Sequence, residues 1–235
     1  MLKDIHDFYE VSDGFESKYT TLDCNFSSLE CLVKAHEKEI YNYSDELIVA
    51  KIHRDNKGDY PFSKLDFLSH KLLELVYPKN VPKLMAASFE NQDLPYYILE
   101  KIQLDELHKA YNISRQRVHQ NSGECYNYSS SFLDVDKDNV ERLAEEHFQK
   151  VNHMQIKYAD NLKTYGITFD HSQVNITWRK DIPIALEVHK CQRDYLFDYK
   201  RCFEYFNGLS ITDDRRNKGL DLLNRIQELK FCKYN

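Results

Sequence analysis

Short apolar stretches with two different periods run along this chain. Leu47–Ile52 (LIVAKI) is rich in β-branched residues and alternates with period two, which predicts a strand with Val49 and Lys51 on one face. Tyr19–Leu22 and Cys31–Ala35 are strand-like pieces within an otherwise irregular first 45 residues. From Ser63 to Val76 the period lengthens. Leu65, Leu68, Leu72 and Leu75 recur at helical spacing, with Ser63 placed to cap. Leu84–Phe89 and Tyr96–Glu100 read as two strands around the turn Asn91-Gln92-Asp93. Residues 111–137 are polar and predict a long loop or insertion.

A second helix is expected over 139–162, headed by Asp138 with Glu141 three residues on, a capping-box spacing, and ended by Gly166. Asn175–Trp178 and Pro183–Val188 predict a small hairpin around Arg179-Lys180-Asp181. Helices at 192–206 and 213–230 complete the chain, the latter with Leu222, Leu223, Ile226 and Leu229 on one face. The pattern predicts an α+β protein of two lobes. Residues 1–102 form an antiparallel sheet with one helix, and residues 103–235 a mainly helical lobe carrying the hairpin.

Composition narrows the class. The formal charge of −6 over 235 residues provides no global basic field, so nucleic acid is not an expected partner. No run approaches the length of apolar residues a membrane helix needs, and the N-terminus has no secretion-signal core. The cysteines at 24, 31, 125, 191, 202 and 232 form no CxxC pair. Their scatter favours free thiols in a reducing compartment, hence the cytoplasm, and no Cys/His metal site is expected.

Chemistry-bearing residues sit at landmarks of this order. In Tyr165–Asn175 (YGITFDHSQVN), Asp170 precedes Asn175 by five residues. Glu187 interrupts the apolar run 182–188 at the end of the second small strand. Val49-Ala50-Lys51 places a lysine on a predicted strand, and Tyr97–Ile102 (YILEKI) follows the last strand of the first lobe.

With these residues in this order, the chain resembles the protein-kinase-like superfamily, which includes small-molecule kinases such as the aminoglycoside phosphotransferases. The resemblance implies an ATP site between the lobes and phosphoryl transfer assisted by Mg²⁺. Asp170 takes the place of the acid that orients or deprotonates the acceptor hydroxyl, and Asn175 that of the metal-holding amide. Glu187 replaces the metal-binding Asp, and its extra methylene shifts the metal. Lys51 takes the place of the lysine that meets the phosphates. The helix acid that partners such a lysine is matched by Asp66, with Glu74 as the fallback. Glu100 and Ile102 lie in the segment that resembles the hinge for an adenine edge. Asn25, Ser27 and Ser28 occupy the stretch of the phosphate-covering loop.

There are departures too. Thr168-Phe169 stands where the family has His-Arg or His-Gly. None of the six glycines falls within 23–30, so close approach of backbone to phosphate is harder there.

Simpler readings stand beside these. Asp170 and Asn175 can be turn and strand-start residues. Lys51 can be a solvated strand lysine, and Asp66 part of a Ser63–Asp66 capping arrangement. Three functions follow: an ATP-dependent phosphotransferase, a pseudokinase serving as a nucleotide- or partner-binding module, and an unrelated α+β interaction protein. The short segment after Glu187 leaves little chain for a peptide platform. It favours a small-molecule acceptor, with 111–137 helping to shape its pocket.

Overall fold

The computed structural model describes residues 25–35, 38–53, 64–76, 79–87, 96–119, 127–129, 135–136, 138–163, 172–186, 199–208 and 211–231. The architecture is α+β, an antiparallel sheet built from the N-terminal part of the chain and a helical C-terminal part. Strands β1 (Cys31–Lys34), β2 (Lys38–Asn42) and β3 (Leu47–Ile52) are followed by helix α1 (Lys64–Val76). Then come β4 (Leu84–Ala87), β5 (Tyr96–Glu100), α2 (Glu106–His119), β6 (Asn127–Tyr128) and α3 (Val140–Lys163). The hairpin β7 (Ile176–Arg179) and β8 (Ile182–Ala185) leads to α4 (Tyr199–Gly208) and α5 (Asp213–Phe231).

The described residues group into two compact units. One is drawn from Met1–Pro61 and Pro82–Glu145, the other from Phe62–Val81 and Glu146–Asn235. The first unit contains the six-stranded sheet in the order β4-β5-β3-β2-β1-β6. Its centre is apolar because β3 and β5 carry Val49, Ala50, Tyr97 and Ile98, all buried. β2 is an element that the hydropathy pattern does not reveal, since its buried position is Glu39.

The polar stretch 111–137 is not a plain loop, which corrects the expectation. Residues 106–119 are helix α2, and 127–128 pair with β1 as the outermost strand. Asp105 caps α2 by accepting the His108 amide at 2.8 Å. The helix is masked in the sequence because its buried side includes His108 and Asn112. By closing on β1, β6 covers an edge that would otherwise offer unpaired backbone groups.

In the second unit α1 packs on α5, whose Leu222, Leu223 and Ile226 are buried. The sequence pattern counts α1 with the strands, whereas its contacts group it with the helices. Phe67–Leu75 is buried on every side, so the polar residues Ser69, His70, Lys71 and Glu74 are buried with it. Lys71 and Glu74 meet at 2.8 Å.

The expected capping box at α3 does not form. Asn139 accepts the first helical bond from Leu143, and Asp136 holds the Asp138 amide and the Asn139 side chain. The Glu141 carboxylate turns instead to Ser114 and Arg117 of α2, at 2.8 and 3.3 Å. The β7–β8 turn has positive φ at both Lys180 (49°) and Asp181 (67°), as a two-residue hairpin with the right twist requires.

Candidate functional site

Register sets the chemistry of one face of the sheet. Glu39 pairs across with Lys51 and with Lys34, Tyr41 with Val49, and Lys51 with Tyr96. Directly opposed residues share a face, so a carboxylate, two ammoniums and two phenol rings are brought together. Glu39 is the hub and is only 7% exposed. Lys34 Nζ lies 3.1 Å from its Oε1, while Lys51 Nζ at 3.4 Å and His53 Nε2 at 3.6 Å approach Oε2. The Tyr41 hydroxyl donates to Oε2 at 2.7 Å.

Electrostatics follow from this geometry. Burial alone raises the Glu39 carboxyl, but hydrogen bonds from Tyr41 and Lys34, with the charge and hydrogen bond of Lys51, outweigh it and hold the group at about 2. Burial and then the hydrogen bond to Glu39 and its charge push the Tyr41 phenol well above its usual range. Burial and Glu39 likewise raise the free thiol of Cys31.

The stretch assigned to the phosphate-covering loop lies beside this face. Phe26–Ser28 is a single 3-10 turn, and its Phe26 ring sits 5.2 Å from Tyr41, 6.3 Å from Tyr96 and 5.7 Å from the Lys51 ammonium. Asn25 organises the turn. Its carbonyl accepts from the Ser28 amide at 3.0 Å and the Ser28 hydroxyl at 2.8 Å, and its Oδ1 accepts from the Ser27 hydroxyl at 2.6 Å. The amides of Ser28 and Leu29 are therefore directed into the turn.

The hinge-like segment is tied inward in a similar way. The Glu100 amide donates to Lys83 and the Lys101 amide to Glu46, both at 2.8 Å, and Ile102 is buried. Asp66 lies in α1, and Glu74, the alternative acid of that helix, meets Lys71. Among the described residues, the carboxylate that Lys51 contacts is Glu39 of the neighbouring strand, a partner that sequence spacing does not single out.

In the second unit Asn175 ends a 3-10 turn, Gln173–Asn175, and is half-buried. Its amide donates to Ser172 at 2.9 Å, and its carbonyl accepts from Leu186 at 2.7 Å, so the main chain is fixed on both sides of the side chain. The fully buried His147 of α3 secures the turn. Its Nε2 lies 2.8 Å from the Gln173 carbonyl, and the Trp178 indole donates to its Nδ1 at 3.4 Å. These partners require the neutral imidazole with the proton on Nε2.

Gln173 also donates to Asn152 at 3.1 Å. Lys150 lies 4.2 Å from the Trp178 ring centre and 2.9 Å from Asp181. Asn80 donates to Pro183 and accepts from Ala185, at 2.9 and 2.8 Å. Asp170 and Glu187 lie outside the described residues, as do Gly166, His189 and Cys191.

Sequence reasoning missed Glu39, Lys34, His53 and Tyr41 as one group, and His147 as the support of Asn175. A usable signal was the alternation Glu39–Tyr41 beside Ile40, which is a strand pattern with a polar buried face. Among the described residues no group of three or more His, Cys, Asp or Glu could hold a metal ion, and no helix is long and apolar enough to cross a membrane.

No family model matches the sequence, and no curated protein does. Among solved structures, the chain is similar to a mutant aminoglycoside 2′-phosphotransferase-IIIa in complex with GDP. The TM-score is 0.30 and the identity 10%, over 94% of this chain and 88% of that one. It is also similar to the streptomycin–ATP ternary complex of APH(2″)-IIa, with TM-score 0.28 and 11% identity over 91% and 84%. A GDP and kanamycin complex of a further APH(2″) enzyme gives 0.29 and 10% over 92% and 90%.

Proposed function

We propose that the chain is a kinase-like phosphotransferase that binds ATP with Mg²⁺ and transfers a phosphoryl group to a small-molecule acceptor. The observation that carries this reading is Lys51. Its side chain is 19% exposed, on a strand near the middle of the sheet, and its ammonium is held by a buried carboxylate beside the turn at 25–28. A solvated strand lysine needs no such support. A lysine that must meet a polyphosphate at a fixed place does.

In this reading Lys51 neutralises phosphate charge, and Glu100 and Ile102 lie along the segment that meets the base. Asp170 receives or orients the acceptor hydroxyl. Asn175 and Glu187 hold Mg²⁺, which supplies charge neutralisation at the transferring group. An amide oxygen and a carboxylate are hard oxygen donors of the kind Mg²⁺ takes. The main chain of Asn175, bonded at both its amide and its carbonyl, suits a ligand held in place. The sequence leaves only ten residues between Glu187 and Asp198, little chain for an extended peptide platform, which supports a small acceptor.

A second reading is favoured by the turn at 25–28. It has no glycine, and the amides of Ser28 and of the following Leu29 are used internally, as suits a nucleotide-binding module without transfer.

Thermal shift with ATP, with and without Mg²⁺, tests the binding, and phosphate release or transfer across a metabolite panel tests the activity. The Lys51→Met variant is expected to lose the ATP-induced shift while keeping its own melting transition. An unchanged ATP shift in that variant refutes the role of Lys51. Binding without any transfer decides for the second reading.

A further inference from the structure

Around Glu39 the bases outnumber the acid. Lys34, Lys51 and His53 all bring a basic nitrogen within 3.6 Å of this one carboxylate. Among the described residues one carboxylate balances one of the two ammoniums, so a surplus positive charge remains, with the His53 imidazole beside it. The side chains step outward from the acid, with Glu39 at 9% exposure, Lys51 at 19%, His53 at 33% and Lys34 at 66%. The arrangement is a buried counter-charge beneath basic groups of increasing access to water. Lys51 and His53 approach the same oxygen, so they lie no farther apart than those two contacts together allow.

From this geometry we infer that Lys34, Lys51 and His53, organised on Glu39, form a binding site for a compact polyphosphate. Its ligand class rests on the phosphotransferase reading, and the inference deepens that reading by adding Lys34 and His53 as phosphate contacts and Glu39 as the positioning residue. A compact anion of several charges matches a basic group this close-set better than a single carboxylate does. An extended nucleic acid is opposed by the chain's net charge of −6. Glu39 does not spoil the site, because its oxygens face the bases and the Tyr41 hydroxyl. Its part is to keep two flexible lysine side chains in place before the ligand arrives, which lowers the ordering cost of binding. Phe26 fixes the serine-bearing turn against the same ammonium, so the Ser27 and Ser28 hydroxyls lie on the turn next to the site.

Titration calorimetry with inorganic tripolyphosphate, and separately with ATP, tests the inference on the full chain. The parent is expected to bind tripolyphosphate at low ionic strength and to weaken as salt is added. Lys34→Met and His53→Gln, both at accessible positions, are each expected to weaken it about fivefold. Lys34→Arg should restore binding, and Glu39→Gln should weaken it although a negative charge has been removed. Melting transitions of all variants establish that they are folded. Absence of tripolyphosphate binding by the parent overturns the inference, as does unchanged affinity in both Lys34→Met and His53→Gln. If ATP binds in a Lys51-dependent way while those two variants match the parent, the phosphotransferase reading stands and this inference falls. If tripolyphosphate binds through Lys34 and His53 but ATP does not, the site stands and the phosphotransferase reading falls.

Discussion

Replacing Glu39 by Gln removes the charge at the centre of the sheet-face cluster and leaves the shape almost unchanged. The amide oxygen can still accept from Tyr41, so the loss falls on the ion pairs to Lys34, Lys51 and His53. In the folded protein the Glu39 carboxyl titrates at about 2, against an ordinary 4.5. At about 1.4 kcal/mol for each unit, that displacement corresponds to roughly 3 kcal/mol of stability at neutral pH. Lys34 is 66% exposed, and water screens its share, which brings the expected cost of Glu39→Gln to about 2 kcal/mol.

The pH dependence has a definite direction. A carboxyl whose value is lowered by folding contributes its full stability above its unfolded value and loses it as pH falls toward the folded one. Urea unfolding followed by far-ultraviolet circular dichroism should therefore show the parent ahead of Glu39→Gln at pH 7. The gap should close progressively as pH falls below about 4.5 toward 2, because protonation turns the parent's carboxyl into a neutral group like the amide. A gap that stays constant across that window, or no gap at pH 7, refutes the account of Glu39 as an ion-pair hub.

Two further outcomes follow from the second unit. Glu74→Gln removes the carboxylate charge that the buried Lys71 ammonium meets and should cost about 3–5 kcal/mol in urea unfolding, whereas the double change Lys71→Met with Glu74→Leu should recover most of it; a double variant no better than the single one contradicts the pairing. His147→Leu leaves the Gln173 carbonyl and the Trp178 indole without their ring partner and should destabilise by about 2–4 kcal/mol. Trp178 is the chain's one tryptophan, so a shift in intrinsic emission reports that site directly, and unaltered emission speaks against the contact.

Much of the fold was legible because the relevant signal is local. β3 and β5 show their β-branched alternation, and α1, α3 and α5 their helical spacing. β2 was hidden because its buried position is an acid, and burial of Glu39 makes sense only once Lys34 and Lys51 stand opposite it. α2 was hidden for a related reason, since buried His108 and Asn112 dilute its apolar stripe. The capping-box spacing at Asp138 and Glu141 misled because Glu141 has partners on another helix. Of the candidate site, Lys51 and Asn175 could be proposed from spacing. Their supports, Glu39 and His147, could not, because both act through contacts set by register and by tertiary packing.

The discontinuous make-up of the two units has a consequence for how this protein comes off the ribosome. The outer edge of β1 waits for β6, so Val33 finds Tyr128 only after the intervening chain has been made. Helix α1, buried on all sides in the finished unit, waits until the C-terminal helix α5 has been synthesised. Neither unit is one consecutive stretch: the first can close only once the chain up to Glu145 has been made, and the second only once α5 has joined α1. Until β6 emerges the nascent chain carries an open strand edge, and until α5 emerges it carries an uncovered helix, which slows closure and invites pairing with the wrong partner.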